Sequence, residues 1–257
     1  MSAVSSNKVS SDIVKEFAPS GTLRAAINLG NTVLAQKDAA TGQPKGITVE
    51  LARELARRLG VPVELVTFDA AGKVFEALKR SAWDIAFLAV EPVRAAEIEF
   101  TAPYVLIEGT YMVPKDSGLK DIADVDRAGV RIAVATGSAY DLFLSRTIKN
   151  ATLVRAPTGP AALEMFVRER LEAAGGVKKP LQEFAAGHPD VRVMAGRFMA
   201  IQQAMGMPKR LGEKAGASRP AAAAYLRAFV EEMKATGFVA DALRRSNQPD
   251  AVVAPPG

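Results

Sequence analysis

Arg94 lies two residues after Pro92 and just beyond the apolar run Ile85–Val90. That run is too apolar for a strand with one wet face, so it reads as a strand buried between helices in a parallel sheet. A guanidinium at its carboxyl end can hold a carboxylate through two parallel hydrogen bonds, a role that suits arginine rather than lysine. Glu91 and Glu97 lie at helical spacing from Arg94, so an ordinary surface ion pair is the competing reading of the same residue. Gly137-Ser138-Ala139-Tyr140 offers a second kind of anion chemistry, because the N–H groups at a helix start have no partner within the helix. Ser138 reads as the cap of that helix, and Tyr140 falls on its apolar stripe. Glu108 sits in Val105-Leu106-Ile107-Glu108, where a charge among apolar neighbours requires either a ligand or a basic residue beside it.

Other chemistry is excluded. The chain has no cysteine, which removes disulfides, thiolate nucleophiles and cysteine metal sites. The one histidine, His188, lies in the turn-forming stretch Gly187-His188-Pro189-Asp190 and reads as a solvated loop residue, so neither a multi-histidine zinc site nor a Ser-His-Asp triad is expected. No cofactor is expected. Lys and Arg number 33 against 28 Asp and Glu, a net charge of +5, and the isoelectric point is near 9.4. The basic residues are interspersed with acids, as in Arg53-Glu54 and Arg168-Glu169-Arg170, which gives solvated helix faces rather than a nucleic-acid patch.

The elements that must position these residues follow from an alternation of period 2 and period 3.6, the mark of an α/β fold. Thr22–Leu29 reads as a strand. A helix starts near Thr48, carries Ala52, Leu55, Ala56 and Leu59 on one stripe, and stops at Gly60. Val61–Phe68 is a strand, Val74, Phe75 and Leu78 mark a helix, and Asp84–Ala89 is the buried strand that precedes Arg94. The same grammar restarts with strand Val130–Ala135, a helix with Tyr140, Phe143, Leu144 and Ile148 inward, strand Thr152–Ala156, and a helix opened by Pro160. Val191–Ala195 is a short strand, and Leu226, Phe229, Val230 and Met233 form the clearest amphipathic stripe, ended by Gly237. The first 20 residues, with no apolar leader core, read as a disordered or peripheral segment, and the tail Ser246–Gly257 is expected to fray.

Several segments together resemble the family 3 periplasmic solute-binding proteins, the ligand-capturing subunits of ABC importers. They are Gly21-Thr22-Leu23-Arg24, the stretch Pro44 to Ala56, Trp83-Asp84-Ile85-Ala86, Arg94 followed by Ile98 to Tyr104, and Val134-Ala135-Thr136-Gly137-Ser138. The resemblance covers Gly21 to Leu243 and implies two Rossmann-like lobes joined by two crossing segments, near Ile107–Val113 and Phe198–Met205. Lobe 1 would hold residues 21–113 and 202–257, and lobe 2 residues 114–201. It implies a monomer that binds a small carboxylate-bearing solute between the lobes by hinge closure and presents it to ABC transporter membrane subunits. Localisation would be periplasmic, or cytoplasmic if no leader precedes Met1.

The expected ligand contacts are Arg94, whose family counterpart pairs with the ligand carboxylate, and, from their place beside the implied cleft, Asn31, Ala89, Glu108, Ser138, Ala139, Tyr140 and Gln202, with Gln203 as the alternative to Gln202. The chain also departs from the amino-acid-binding pattern. Gly30-Asn31-Thr32 stands where those relatives carry an aromatic lid, and Gly175-Gly176-Val177, after what reads as a helix end at Arg170–Ala174, stands where they carry an acid for the ligand ammonium. Phe87-Leu88-Ala89 lacks their serines. An ammonium without a carboxylate in a closed cleft is costly, which argues against a standard α-amino acid. A cyclohexadienyl dehydratase-like enzyme, with Glu108 as its acid, and a cytoplasmic ligand sensor are the alternative functions.

Overall fold

The computed structural model describes residues 9–209 and 219–257. The first half contains α1 (Ser11–Phe17), β1 (Leu23–Asn28), the short pair β2 (Gln36–Lys37) and β3 (Pro44–Lys45), α2 (Ile47–Leu59), β4 (Val63–Phe68), α3 (Ala71–Ala77), β5 (Ile85–Ala89) and α4 (Pro92–Ala95). The long strand β6 (Ile98–Pro114) leads to β7 (Arg131–Ala135), α5 (Ala139–Thr147), β8 (Thr152–Ala156), α6 (Gly159–Arg168), β9 (Ala173–Val177), α7 (Lys178–Ala186) and β10 (Val191–Val193). The chain returns through β11 (Met199–Pro208) and ends with α8 (Pro220–Ala235), α9 (Phe238–Arg245) and β12 (Val252–Val253).

Local chemistry accounts for the elements nearest the site. Gly60 closes α2 in the left-handed conformation, φ 70°, its N–H reaching back to Ala56 O, and Ala52, Leu55, Ala56 and Leu59 are buried as their spacing predicts. All five residues of β5 are buried, which fits a strand covered on both faces. Trp83 and Asp84 anchor its start. The indole Nε1 donates to Val74 O at 2.9 Å, and the buried Asp84 carboxylate accepts from Arg24 N, Nε and Nη2.

The main sheet runs β4-β1-β5-β11-β6-β9-β7-β8, with β10 and β12 also paired to β6. β4, β1 and β5 are parallel at one end, and β9, β7 and β8 are parallel at the other. Between them β11 and β6 run antiparallel from Met199↔Gly109 to Pro208↔Ile98. These two strands are the crossing segments, since β6 pairs with β11 along its first part and with β9 from Gly109 to Met112. Separate cores lie on the two faces of each half. One half is built around Leu51, Leu55, Phe229 and Met233 and around Val74, Trp83 and Leu88; the other around Val113, Ile132 and Leu144 and around Phe166, Leu171 and Leu181.

Three expectations need correction. Residues 1–8 lie outside the described residues, but the rest of the segment expected to be peripheral forms α1, capped by Ser10. Its Phe17 is fully buried and packs edge-on against Tyr225, and Glu16 accepts from Ala222 N at 2.8 Å. The tail is strapped down rather than frayed: Val252 and Val253 pair with Leu106 and Val105, and Ala251 and Ala254 are buried. Ala173–Val177 is strand β9, not the end of a helix. Its small residues carry little strand propensity, yet they are what fits. A Cβ at Gly175 would lie 3.3 Å from Leu144 Cδ1, and one at Gly176 3.0 Å from Leu181 Cδ2.

Candidate functional site

Arg94 is delivered to the middle of the molecule by the end of β5. Val90 N donates to Gln202 O on β11, and Pro92 opens α4, a single turn whose Arg94 N–H donates to Glu91 O at 3.0 Å. That turn swings the side chain inward, so Arg94 is fully buried rather than paired on the surface with Glu91 or Glu97. Its Nη1 donates to Ala89 O at 3.0 Å and its Nη2 to Gly137 O at 2.8 Å. Its Nε is buried and has no partner among the described residues. Burial draws the guanidinium down to about 10, opposed by the charge of Glu91, so Arg94 is a cation at neutral pH. The carboxylate of Glu91 is itself engaged by Arg146 on α5, at 2.6 Å.

Facing Arg94 is the start of α5. Ser138 Oγ accepts from Asp141 N at 3.1 Å, the cap that the sequence indicated. Asp141 in turn accepts from Gly137 N at 2.8 Å and from Arg155 Nε at 3.0 Å. Among the described residues no acceptor serves the N–H groups of Ala139 and Tyr140. Two free amides at a helix start and a buried guanidinium thus border one space, which is the electrostatic setting for an anion.

That space is small, ≈ 50 Å³. Its lining includes Arg94, Asn31, Ala89, Ala139 and Tyr140 from the expected set, together with Asn28, Leu34, Thr48, Ala71, Phe87, Leu88, Val177, Ile201 and Gln203. Among these described residues there is no carboxylate, so Arg94 is the single charge that the cavity meets. The Oδ1 of Asn31 is buried without a hydrogen-bond partner among the described residues, whereas Asn28 Oδ1 accepts from Gly30 N at 3.0 Å. Burial pushes the Tyr140 phenol up to about 12, partly offset by a hydrogen bond with Ser138.

Other expected contacts stand elsewhere. Ser138 is the helix cap and does not line the cavity. Gln202 is exposed, and its neighbour Gln203, opposite Ala89 in the β11–β5 register, is buried and lines the space. Glu108 is half-buried, bound by Lys178 at 2.8 Å and Arg197 at 3.2 Å, and the hydrogen bond from Lys178 holds its carboxyl below the ordinary glutamate range. His188 is half-buried rather than solvated, its ring stacked 3.9 Å from Phe184. Asn28, Thr48 and Val177 were not legible as lining residues. Thr48 could be found only from its place at the start of α2, and Val177 only once β9 is recognised as a strand. Among the described residues no group of three or more His, Cys, Asp or Glu is placed to hold a metal ion, and no helix is long and apolar enough to cross a membrane.

Comparison with known proteins agrees with this architecture. A mutant of ArgBP from T. maritima superposes with a TM-score of 0.74 at 22% identity, covering 91% of this chain and 99% of that one. The ancestral amino acid-binding protein AncCDT-1, a precursor of cyclohexadienyl dehydratase, gives 0.71 at 22% identity over 90% of this chain and 98% of its own. Among curated proteins, the amino-acid-binding protein AabA of Dichelobacter nodosus is 27% identical over 148 residues, which are 56% of this chain and 58% of that protein. The chain therefore matches a little over half the length of that relative. Residues 31–246 match the family model described as bacterial extracellular solute-binding proteins, family 3. The chain belongs to that family of solute-binding proteins.

Proposed function

We propose that the protein captures a small solute through a carboxylate clamped between Arg94 and the start of α5, and hands it to the membrane subunits of an ABC importer. The observation that carries this is the buried, charged Arg94, whose Nε has no partner among the described residues while its two Nη atoms are taken by Ala89 O and Gly137 O. A buried cation with spare donor capacity, facing two free helix amides, is stabilised when an anion arrives. Lobe 1 would comprise residues 21–113 and 202–257, and lobe 2 residues 114–201. Arg94 then belongs to the first, and Gly137, Ala139 and Tyr140 to the second. A carboxylate held by both favours the closed arrangement, which is how binding would be signalled to a transporter. The family's description as extracellular supports a periplasmic setting.

The structure offers less to the dehydratase reading. A general acid needs a carboxyl kept protonated near the substrate, and Glu108 is instead ionised by Lys178 and Arg197, outside the Arg94 cavity. The test is a melting-temperature screen of amino acids, keto acids, aromatic acids and simple monocarboxylates. A true ligand at 100 times its Kd adds about 2.7 kcal/mol of stability by mass action. Hits confined to carboxylates, and lost in Arg94→Gln, support the clamp; neutral hits, or hits that persist in Arg94→Gln, refute it.

A further inference from the structure

The space around Arg94 is too small for a whole solute. At roughly 10–15 Å³ per water-sized occupant, its ≈ 50 Å³ accommodates a carboxylate and the carbon that bears it, and little else. A second and larger space, ≈ 310 Å³, adjoins it and shares Tyr140 and Val177 as walls. It lies between α6 and α7, with Pro160 and Leu163 on one side, Pro180, Leu181 and Phe184 on the other, and Gly175 and Gly176 of β9 between them. Among these described lining residues there is no cation. The ionisable groups are Tyr140 and two exposed acids, Glu164 and Glu183.

We propose, building on the carboxylate clamp above, that the ligand is a monocarboxylate with no ammonium beside that carboxylate and with an apolar body that fills this second space. Each part follows from the walls. Arg94 and the α5 amides supply one anion site, so one carboxylate is satisfied. An ammonium beside that carboxylate would meet no acid, and Asn31 Oδ1 alone cannot balance a buried positive charge. A second carboxylate at the far end would meet Glu164 and Glu183. An aryl or branched alkyl body meets Leu163, Leu181 and Phe184, which are apolar partners of matching kind. Gly176 is needed for this room, because a Cβ there would lie 3.0 Å from Leu181 Cδ2 and displace that wall.

Calorimetry with 3-phenylpropanoate, propanoate and L-phenylalanine tests the proposal on the wild type, Arg94→Gln and Gly159→Leu. Gly159 lines the larger space, and a Cβ there meets only Tyr140 Oη, at 3.9 Å. The added side chain narrows the space, and because Gly159 precedes Pro160 at the start of α6, a melting temperature within a few degrees of wild type is required before its binding data are read. The expected result is that 3-phenylpropanoate binds about tenfold or more tighter than propanoate, from burial of the ring, and about tenfold or more tighter than L-phenylalanine. Gly159→Leu should erase most of the gain of 3-phenylpropanoate over propanoate. If Arg94→Gln abolishes binding of every probe but the ring confers no advantage, or Gly159→Leu changes nothing, or L-phenylalanine binds tightest, the apolar site is wrong and the clamp survives. If 3-phenylpropanoate binds Arg94→Gln as well as wild type, the clamp itself has failed. No binding by any probe to the folded wild type also overturns the proposal.

Discussion

Replacing Gly72 by alanine should weaken binding while making the protein no less stable. Gly72 is the second residue of α3, and it abuts Gly137, whose own φ is +67°. A Cβ on Gly72 would lie 2.8 Å from Thr136 O and 3.4 Å from Gly137 Cα, both backbone atoms that cannot rotate aside. The two halves must therefore separate by a few tenths of an ångström where Arg94 Nη2 reaches Gly137 O at 2.8 Å and Glu91 meets Arg146 at 2.6 Å. Under the hinge closure proposed above, overpacking of this kind costs the closed arrangement about 1–3 kcal/mol, a roughly 5- to 150-fold loss of affinity. In an open form the same alanine is accommodated and favours helix over coil by up to about 1 kcal/mol. Affinity should therefore fall by calorimetry, urea unfolding of the unliganded protein should be unchanged or raised, and scattering at saturating ligand should show a larger radius of gyration than for wild type. Unchanged affinity with an unchanged liganded radius would refute the argument that this glycine pair sets closure.

Affinity for a carboxylate ligand should be level from about pH 6 to 9 and fall above the Arg94 value of about 10. Loss of the guanidinium proton removes the charge partner there, and a titration that instead falls between pH 6 and 8 would assign the anion site to another group. Asp84→Ala should cost about 3 kcal/mol in urea unfolding, since it strips three hydrogen bonds from Arg24 at a fully buried site. Deleting residues 249–257 removes β12 from Leu106 and Val105 and uncovers the edge of β6. The truncated protein should melt measurably lower, whereas an identical melt would mean the strap is idle.

Much of the scaffold could be read from the chain because its signals are local. Gly60 ends α2 and Gly237 lies between α8 and α9, both left-handed, where the apolar stripes stop. β5 announces itself by five consecutive apolar residues. Ser138 is a cap in sequence and in structure. What could not be read is set by neighbours distant in sequence. β9 has almost no strand propensity and exists because Gly175 and Gly176 fit against Leu144 and Leu181 beside β6. Gln202 and Gln203 differ only in which face of β11 they occupy, and the register with β5 decides that. Spacing alone favours a surface pair for Arg94 and the family resemblance favours ligand contact; its burial removes the surface pair, and Glu108 meets basic neighbours, Lys178 and Arg197, that lie 70 and 89 residues away. The terminal strap and α1 are likewise held by partners far along the chain, β6 and α8.

The most direct measurement is a thermodynamic cycle that pairs the strongest carboxylate hit and its carboxamide with wild type and Arg94→Gln. A charge clamp predicts that the carboxylate loses about 2 kcal/mol or more on mutation while the amide loses far less, a coupling typical of a desolvated guanidinium–carboxylate pair. Equal losses for the two ligands would show that Arg94 shapes the cavity without holding the anion.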